Sequence, residues 1–134
     1  MKKQTQAIHS RFQTKDAYGS LAMPVYHTAA YEFDNATEMA DAFCGKTDAP
    51  DYSRVTNPTV TYFENKVKAM CNAHGVIAVS SGMAAISNTL ICLTAAGKNI
   101  VTSRHLFGNT YSLIAGTMMR FGVKPHLTDL TNLK

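Results

Sequence analysis

The sequence predicts an α/β chain: an extended N-terminal arm, then the start of a domain built on a mainly parallel sheet and left incomplete. Three observations lead there. Short apolar runs at 76–79, 99–102 and 123–127 alternate with longer stretches of helical periodicity, the pattern of a parallel sheet with right-handed crossovers. Hydrophobic residues are 46% of the 134 and charged residues 16%, a composition that can fold around a core. Three strands followed by Asp129 to Lys134, with no covering helix, leave a parallel sheet short of the cover it needs on both faces. The chain therefore reads as the N-terminal part of something larger.

A border falls near Asn57, separating an arm and loop segment, 1–56, from the first part of the α/β domain, 57–134. In the arm, Asn35-Ala36-Thr37-Glu38 has the form of a helix cap with glutamate three residues on. Met39, Ala40, Ala42 and Phe43 supply the apolar stripe, and Gly45 stops the helix. Residues 46–55 are polar and carry Pro50, an extended loop. Asn57-Pro58 opens the next helix, with Val60, Phe63, Val67 and Met70 at helical spacing and Gly75 at its end. Val76 to Val79 reads as a buried strand, 82–96 as a helix with Gly97 as its stop, and 99–102 as a second strand. Residues 109–121 read as a helix closed by Gly122. The last strand, 123–127, carries Pro125 and so belongs nearer an edge.

Several function classes lack support. Thirteen Lys+Arg against nine Asp+Glu give a net charge of +4, with no run of five basic residues, so a nucleic-acid footprint is not expected. No stretch of about 20 apolar residues is present, so no membrane span is expected. The first residues, Met1-Lys2-Lys3-Gln4-Thr5-Gln6, do not read as a secretory signal. Cys44, Cys71 and Cys92 are odd in number and far apart, which favours a reducing cytoplasm over disulfides or zinc. The five histidines lack metal-ligand spacing.

Three stretches could carry chemistry. In Val79-Ser80-Ser81-Gly82-Met83-Ala84-Ala85-Ile86 a strand ends and a helix opens at once, aiming free N–H groups and the positive end of a helix dipole beyond the strand. The bland alternative is a plain turn capped by Ser80 or Ser81. In Asp51-Tyr52-Ser53-Arg54-Val55-Thr56-Asn57-Pro58-Thr59, a tyrosine hydroxyl and a guanidinium two residues apart in an extended segment share a side, and both donate to phosphates. The alternative there is an arginine solvated or paired with Asp48 or Asp51. Arg104 to Tyr111 follows a strand's C-terminal end, where parallel sheets bind ligands, and Phe107 can stack on a flat one. A core aromatic and an exposed His105 are the alternatives.

Together these stretches resemble the Cys/Met-metabolism class of fold-type I pyridoxal-phosphate (PLP) enzymes. The resemblance rests on Pro24-Val25-Tyr26-His27-Thr28, on the YSRxxNPT run from Tyr52 to Thr59, on SSGMAAI from Ser80 to Ile86, and on Phe107 to Thr110. Residues 31–36 and 106–111 look most like the O-acetylhomoserine sulfhydrylases of that family, with cystathionine γ-synthase and methionine γ-lyase as near alternatives.

The resemblance implies the start of a fold-type I large domain, pyridoxal 5'-phosphate as cofactor, and γ-replacement on an O-acylhomoserine by sulfide or a thiol. It implies that Gly82 and Met83 offer N–H groups to the cofactor phosphate, and that Tyr52 and Arg54 bind that phosphate from the neighbouring subunit of a homo-oligomer. Phe107 falls where the family usually stacks a tyrosine on the pyridine ring. The family's Schiff-base lysine and pyridinium aspartate correspond to nothing here, so no catalytic residue is expected within the chain and none is expected to turn over substrate alone. The rival from another class is a non-catalytic piece that binds a phosphate ligand or another subunit.

Overall fold

The computed structural model describes residues 2–9 and 17–132. Leu133 and Lys134, the end of the expected uncovered tail, lie outside them. The chain divides into two compact units, Met1–Ala78 and Val79–Lys134.

The first unit holds three helices among its described residues. Helix α1, Lys3–His9, was not expected from the sequence, and it packs on the third helix. Helix α2, Ala36–Phe43, begins as expected: the Asn35 side chain accepts the Glu38 N–H at 3.0 Å and donates to the Glu38 carboxylate at 2.8 Å. Gly45, at φ +66°, takes the left-handed turn that ends it. Helix α3, Pro58–Cys71, starts on the Asn57 cap as expected. It stops before Gly75 because Asn72 itself turns left-handed, at φ 52°.

The strand expected at 76–79 does not form. No other strand pairs with it among the described residues, and the Ala78 N–H instead donates to Glu64 Oε1 of α3 at 2.7 Å.

The second unit is a βαβ arrangement preceded by a helix. Helix α4, Gly82–Leu93, is shorter than the predicted 82–96. Thr94 turns extended, and both its N–H and its hydroxyl bond the Leu90 carbonyl, at 3.0 and 2.7 Å. Strands β1, Asn99–Ser103, and β2, Lys124–Thr128, pair in parallel, with Val101 opposite His126 and Ile100 opposite Pro125. Two strands therefore stand where three were expected, and Pro125 sits in a strand with one neighbour among the described residues. Ile100, Thr102, Pro125 and Leu127 are half-buried on one side of the pair, while Val101 and His126 on the other are exposed.

Between the strands, helix α5, Gly108–Ser112, widens into a π-helical segment, Leu113–Met118. A regular 3.6-residue period was expected throughout 109–121. The wider segment packs on β2 with Ile114 and Met118 buried, and Val123, just before β2, is buried as well. Gly122 then turns at φ +80°, a conformation that favours glycine, where a Cβ would meet Ala96 Cβ at 3.3 Å. The architecture is α/β with a small parallel sheet, a partial domain.

Candidate functional site

The candidate residues divide between the units. Tyr52 and Arg54 belong to the first, and Gly82, Met83 and Phe107 to the second.

In the first unit the predicted extended segment is a tight turn. The N–H groups of Val55 and Thr56 both reach the Tyr52 carbonyl, at 2.8 and 2.9 Å. Tyr52 forms an antiparallel bridge with Ala30, and Ser53 donates its N–H to the Ala29 carbonyl at 2.9 Å and its hydroxyl to the Thr28 carbonyl. The turn nonetheless brings the two donors together: Arg54 Cζ lies 5.2 Å from the centroid of the Tyr52 ring, a cation–π arrangement.

Neither Asp48 nor Asp51 pairs with Arg54, and no carboxylate does among the described residues. Asp51 is committed elsewhere. Its Oδ1 accepts the Thr56 hydroxyl at 2.8 Å and the Tyr52 N–H at 2.6 Å. These bonds, the Thr56 hydroxyl foremost, hold its carboxyl below the usual carboxylate range.

Behind the turn sits Asn57, a buried polar residue. Its Oδ1 caps α3 through the Thr59 N–H at 2.9 Å, and its Nδ2 donates to the Tyr26 carbonyl at 3.0 Å and to Ser53 Oγ at 2.9 Å. Thr59 Oγ1 accepts the Tyr26 N–H at 2.8 Å and donates to the Pro24 carbonyl at 3.2 Å. The Pro24–Thr28 stretch is thereby laced to the Tyr52 turn. Sequence reasoning missed the supporting roles of Asp51, Thr56, Asn57 and Thr59. The only advance signal was the NPT cap itself, which says nothing about where the far side of an asparagine points.

In the second unit Ser81, not Ser80, caps α4, accepting the Ala84 N–H on its side chain at 3.0 Å and the Ala85 N–H on its carbonyl at 3.0 Å. The N–H groups of Gly82 and Met83 are left without an acceptor among the described residues. Two free donors at the positive end of a 12-residue helix could receive an anion. A Cβ built on Gly82 meets nothing within 4 Å, so the helix start is open on the side where a side chain would stand.

Met83 is tied to helix α5, with Thr110 Oγ1 3.7 Å from its sulfur. Phe107 is at the start of α5 and 77% exposed, so it is not a core aromatic. His105 is exposed, with Nε2 3.7 Å from Asp129 Oδ1.

Within the second unit, the free backbone donors at the start of α4 are of a kind that suits a phosphate, and within the first unit so is an arginine without a carboxylate partner. Among the described residues no group of three or more His, Cys, Asp or Glu is placed to hold a metal. No helix among them is long and apolar enough to cross a membrane.

Comparison with known proteins points the same way. The chain is 41% identical over 130 residues to an L-methionine γ-lyase of Fusobacterium nucleatum, covering 97% of this chain and 33% of that protein. It is 38% identical over 121 residues to the O-acetyl-L-homoserine sulfhydrylase of Corynebacterium glutamicum, covering 90% and 28%. Its fold superposes on a Campylobacter jejuni protein assigned as an O-acetylhomoserine (thiol)-lyase with a TM-score of 0.89 and 32% identity, over 99% of this chain and 33% of the other. That crystal structure carries a pyridoxyl-lysine phosphate. The chain thus spans about a third of the length of the curated relatives it matches. With residues 4–134 matching its family pattern, the chain belongs to the Cys/Met metabolism PLP-dependent enzymes.

Proposed function

We propose that this chain forms the phosphate-gripping part of a PLP-dependent O-acetylhomoserine sulfhydrylase, which replaces the acyloxy group of an O-acylhomoserine by sulfide or a thiol. The observation that carries it is the likeness, along 99% of this chain and 33% of the other, to the Campylobacter jejuni (thiol)-lyase. In this reading the free N–H groups of Gly82 and Met83 donate to the cofactor phosphate, helped by the helix dipole behind them. Arg54 and the Tyr52 hydroxyl donate to the phosphate of the neighbouring subunit's cofactor, which makes the working form a homo-oligomer with shared sites. Phe107 stacks on the pyridine ring, and its lack of a hydroxyl leaves it no proton to move.

When bound, PLP supplies the electron sink that activates bonds near the substrate's α-carbon. The Schiff-base lysine comes from outside residues 1–134 in this reading, because no lysine here stands in the family's motif. Residues 57–134 then form the first part of the PLP-binding domain, with 1–56 as its arm. Three free, exposed cysteines support a reducing, cytoplasmic setting.

A second reading, elimination from L-methionine, is favoured by the 41% identity to the Fusobacterium lyase. One experiment separates them. The holoenzyme carrying this chain is given O-acetyl-L-homoserine with sulfide, and separately L-methionine alone. Homocysteine from the first with no methanethiol from the second supports the sulfhydrylase. Methanethiol from methionine, without homocysteine from the first mixture, replaces it with the lyase.

A further inference from the structure

The Arg54 guanidinium has one partner among the described residues, the face of the Tyr52 ring. Its direction is therefore set by the backbone turn on which both residues ride. That turn is closed at its base by a reciprocal pair: Asp51 Oδ1 accepts the Thr56 hydroxyl at 2.8 Å, and Thr56 Oγ1 accepts the Asp51 N–H at 3.3 Å. The same Asp51 oxygen takes the Tyr52 N–H at 2.6 Å, and both carbonyl bonds to Tyr52 lie inside the loop so formed. Asp51 thus fixes both ends of the six-residue segment 51–56 that presents Tyr52 and Arg54.

We propose that Asp51, acting with Thr56, is a positioning residue that shapes the Tyr52–Arg54 turn for gripping a phosphate. The inference rests on the reading of Arg54 as a phosphate ligand and adds the residue pair that makes it one. Charge alone predicts the opposite effect. A carboxylate near Arg54 competes with an incoming phosphate, so removing it as a charge tightens binding, whereas removing it as a clamp weakens binding. The low-lying carboxyl of Asp51 accords with a clamp, since an ionised oxygen accepts both bonds.

The test measures dissociation constants of pyridoxal 5'-phosphate and of phosphate-free pyridoxal for the holoenzyme carrying this chain, after resolution to the apo form. Asp51→Ala and Thr56→Val are each expected to weaken the phosphorylated ligand about 3- to 10-fold, the loss of one or two modest hydrogen bonds, with pyridoxal affinity unchanged. Asp51→Asn and Thr56→Ser keep the acceptor and the hydroxyl and are expected to recover most of the loss. The double variant is expected to lose less than the product of the two single losses, because both single variants remove the Asp51–Thr56 side-chain bond.

Tighter phosphate binding in Asp51→Ala overturns the inference, as does an equal loss for both ligands. Should Asp51→Ala not fold, Thr56→Val tests the same bond from its other side. Arg54→Ala serves as the reference. If it leaves PLP affinity intact, the phosphate reading of Arg54 fails. If it weakens PLP while Asp51→Ala and Thr56→Val do not, only the clamp fails.

Discussion

Arg54 holds its guanidinium over the ring of Tyr52, with Cζ 5.2 Å from the ring centroid. In the proposed reading the tyrosine therefore has two separable uses, a face for the cation and a hydroxyl for the phosphate. Tyr52→Phe keeps the face and is expected to cost PLP affinity only one hydrogen bond, about 2- to 10-fold. Tyr52→Leu removes the face as well and is expected to cost more. Spectral titration of the apoenzyme with PLP checks the order of the two variants.

Arg54→Ala removes a charge-assisted contact expected to contribute about 1.5–3 kcal/mol, and Arg54→Lys recovers part of it because an ammonium lacks the planar fork. Mixing tests the shared site. In a dimer of one Arg54→Ala subunit and one subunit lacking its Schiff-base lysine, a site shared across subunits leaves one active site whole. Activity is then expected to return in part. No return means that Arg54 serves its own subunit.

Gly82 faces open space, and its φ is not positive, so the fold itself tolerates a methyl group there. Alanine is also the better helix former by about 1 kcal/mol in a helix interior, and less at an end. Gly82→Ala is therefore expected to keep or slightly raise stability while weakening PLP, because a methyl group added at the helix start keeps a phosphate further from the backbone donors in the proposed reading. Urea unfolding of the apo form, set beside PLP affinity, reads the two effects separately. Equal PLP affinity removes the backbone donors from the proposal.

Asn57 is buried and bonds through both ends of its amide, to Tyr26, Ser53 and Thr59. Asn57→Ala loses the helix cap and strands polar groups of two other segments, a cost of about 2–4 kcal/mol. Asn57→Asp keeps the cap but not the donor, so it is expected to fall in between. Denaturant midpoints of the two variants check the ranking.

Asp129 accepts the Thr131 hydroxyl at 2.6 Å and the Thr131 N–H at 3.0 Å, which together with Arg104 and His105 lower its pKa. A lowered folded pKa contributes stability that is present above the unfolded value, about 4, and is lost as pH falls through the folded value. Thr131→Val is expected to move the Asp129 midpoint upward, read by carbon-detected NMR titration below pH 5. An unmoved midpoint assigns the shift to the Thr131 N–H and the neighbouring charges instead.

Where a single side chain reports on its own backbone, the sequence was legible. The caps at Asn35, Asn57 and Ser81 and the parallel strands after Lys98 follow from local patterns. The misses share a different cause. Residues 76–79 have strand composition, but a strand exists only with a partner, and none is present among the described residues. The widened turn at Leu113–Met118 responds to packing on β2, which no periodicity in 109–121 encodes. The candidate site was legible as motif and not as mechanics: Tyr52 and Arg54 stood out, while the Asp51–Thr56 clamp needed the turn's actual path.

The β1–α5–β2 segment also bears on the order of assembly. Its two strands are joined through about 20 intervening residues, and Ile114, Met118 and Val123 all lie within that connection. Short loops close quickly and at modest entropic cost. As the polypeptide leaves the ribosome at about 5–20 residues per second, this crossover has its own strands and its own apolar contacts in hand once Thr128 has emerged. The bare face carrying Val101 is then a surface that a nascent chain must keep from other chains while synthesis continues, and Lys124 and His126 beside it set polar groups along an otherwise adhesive edge.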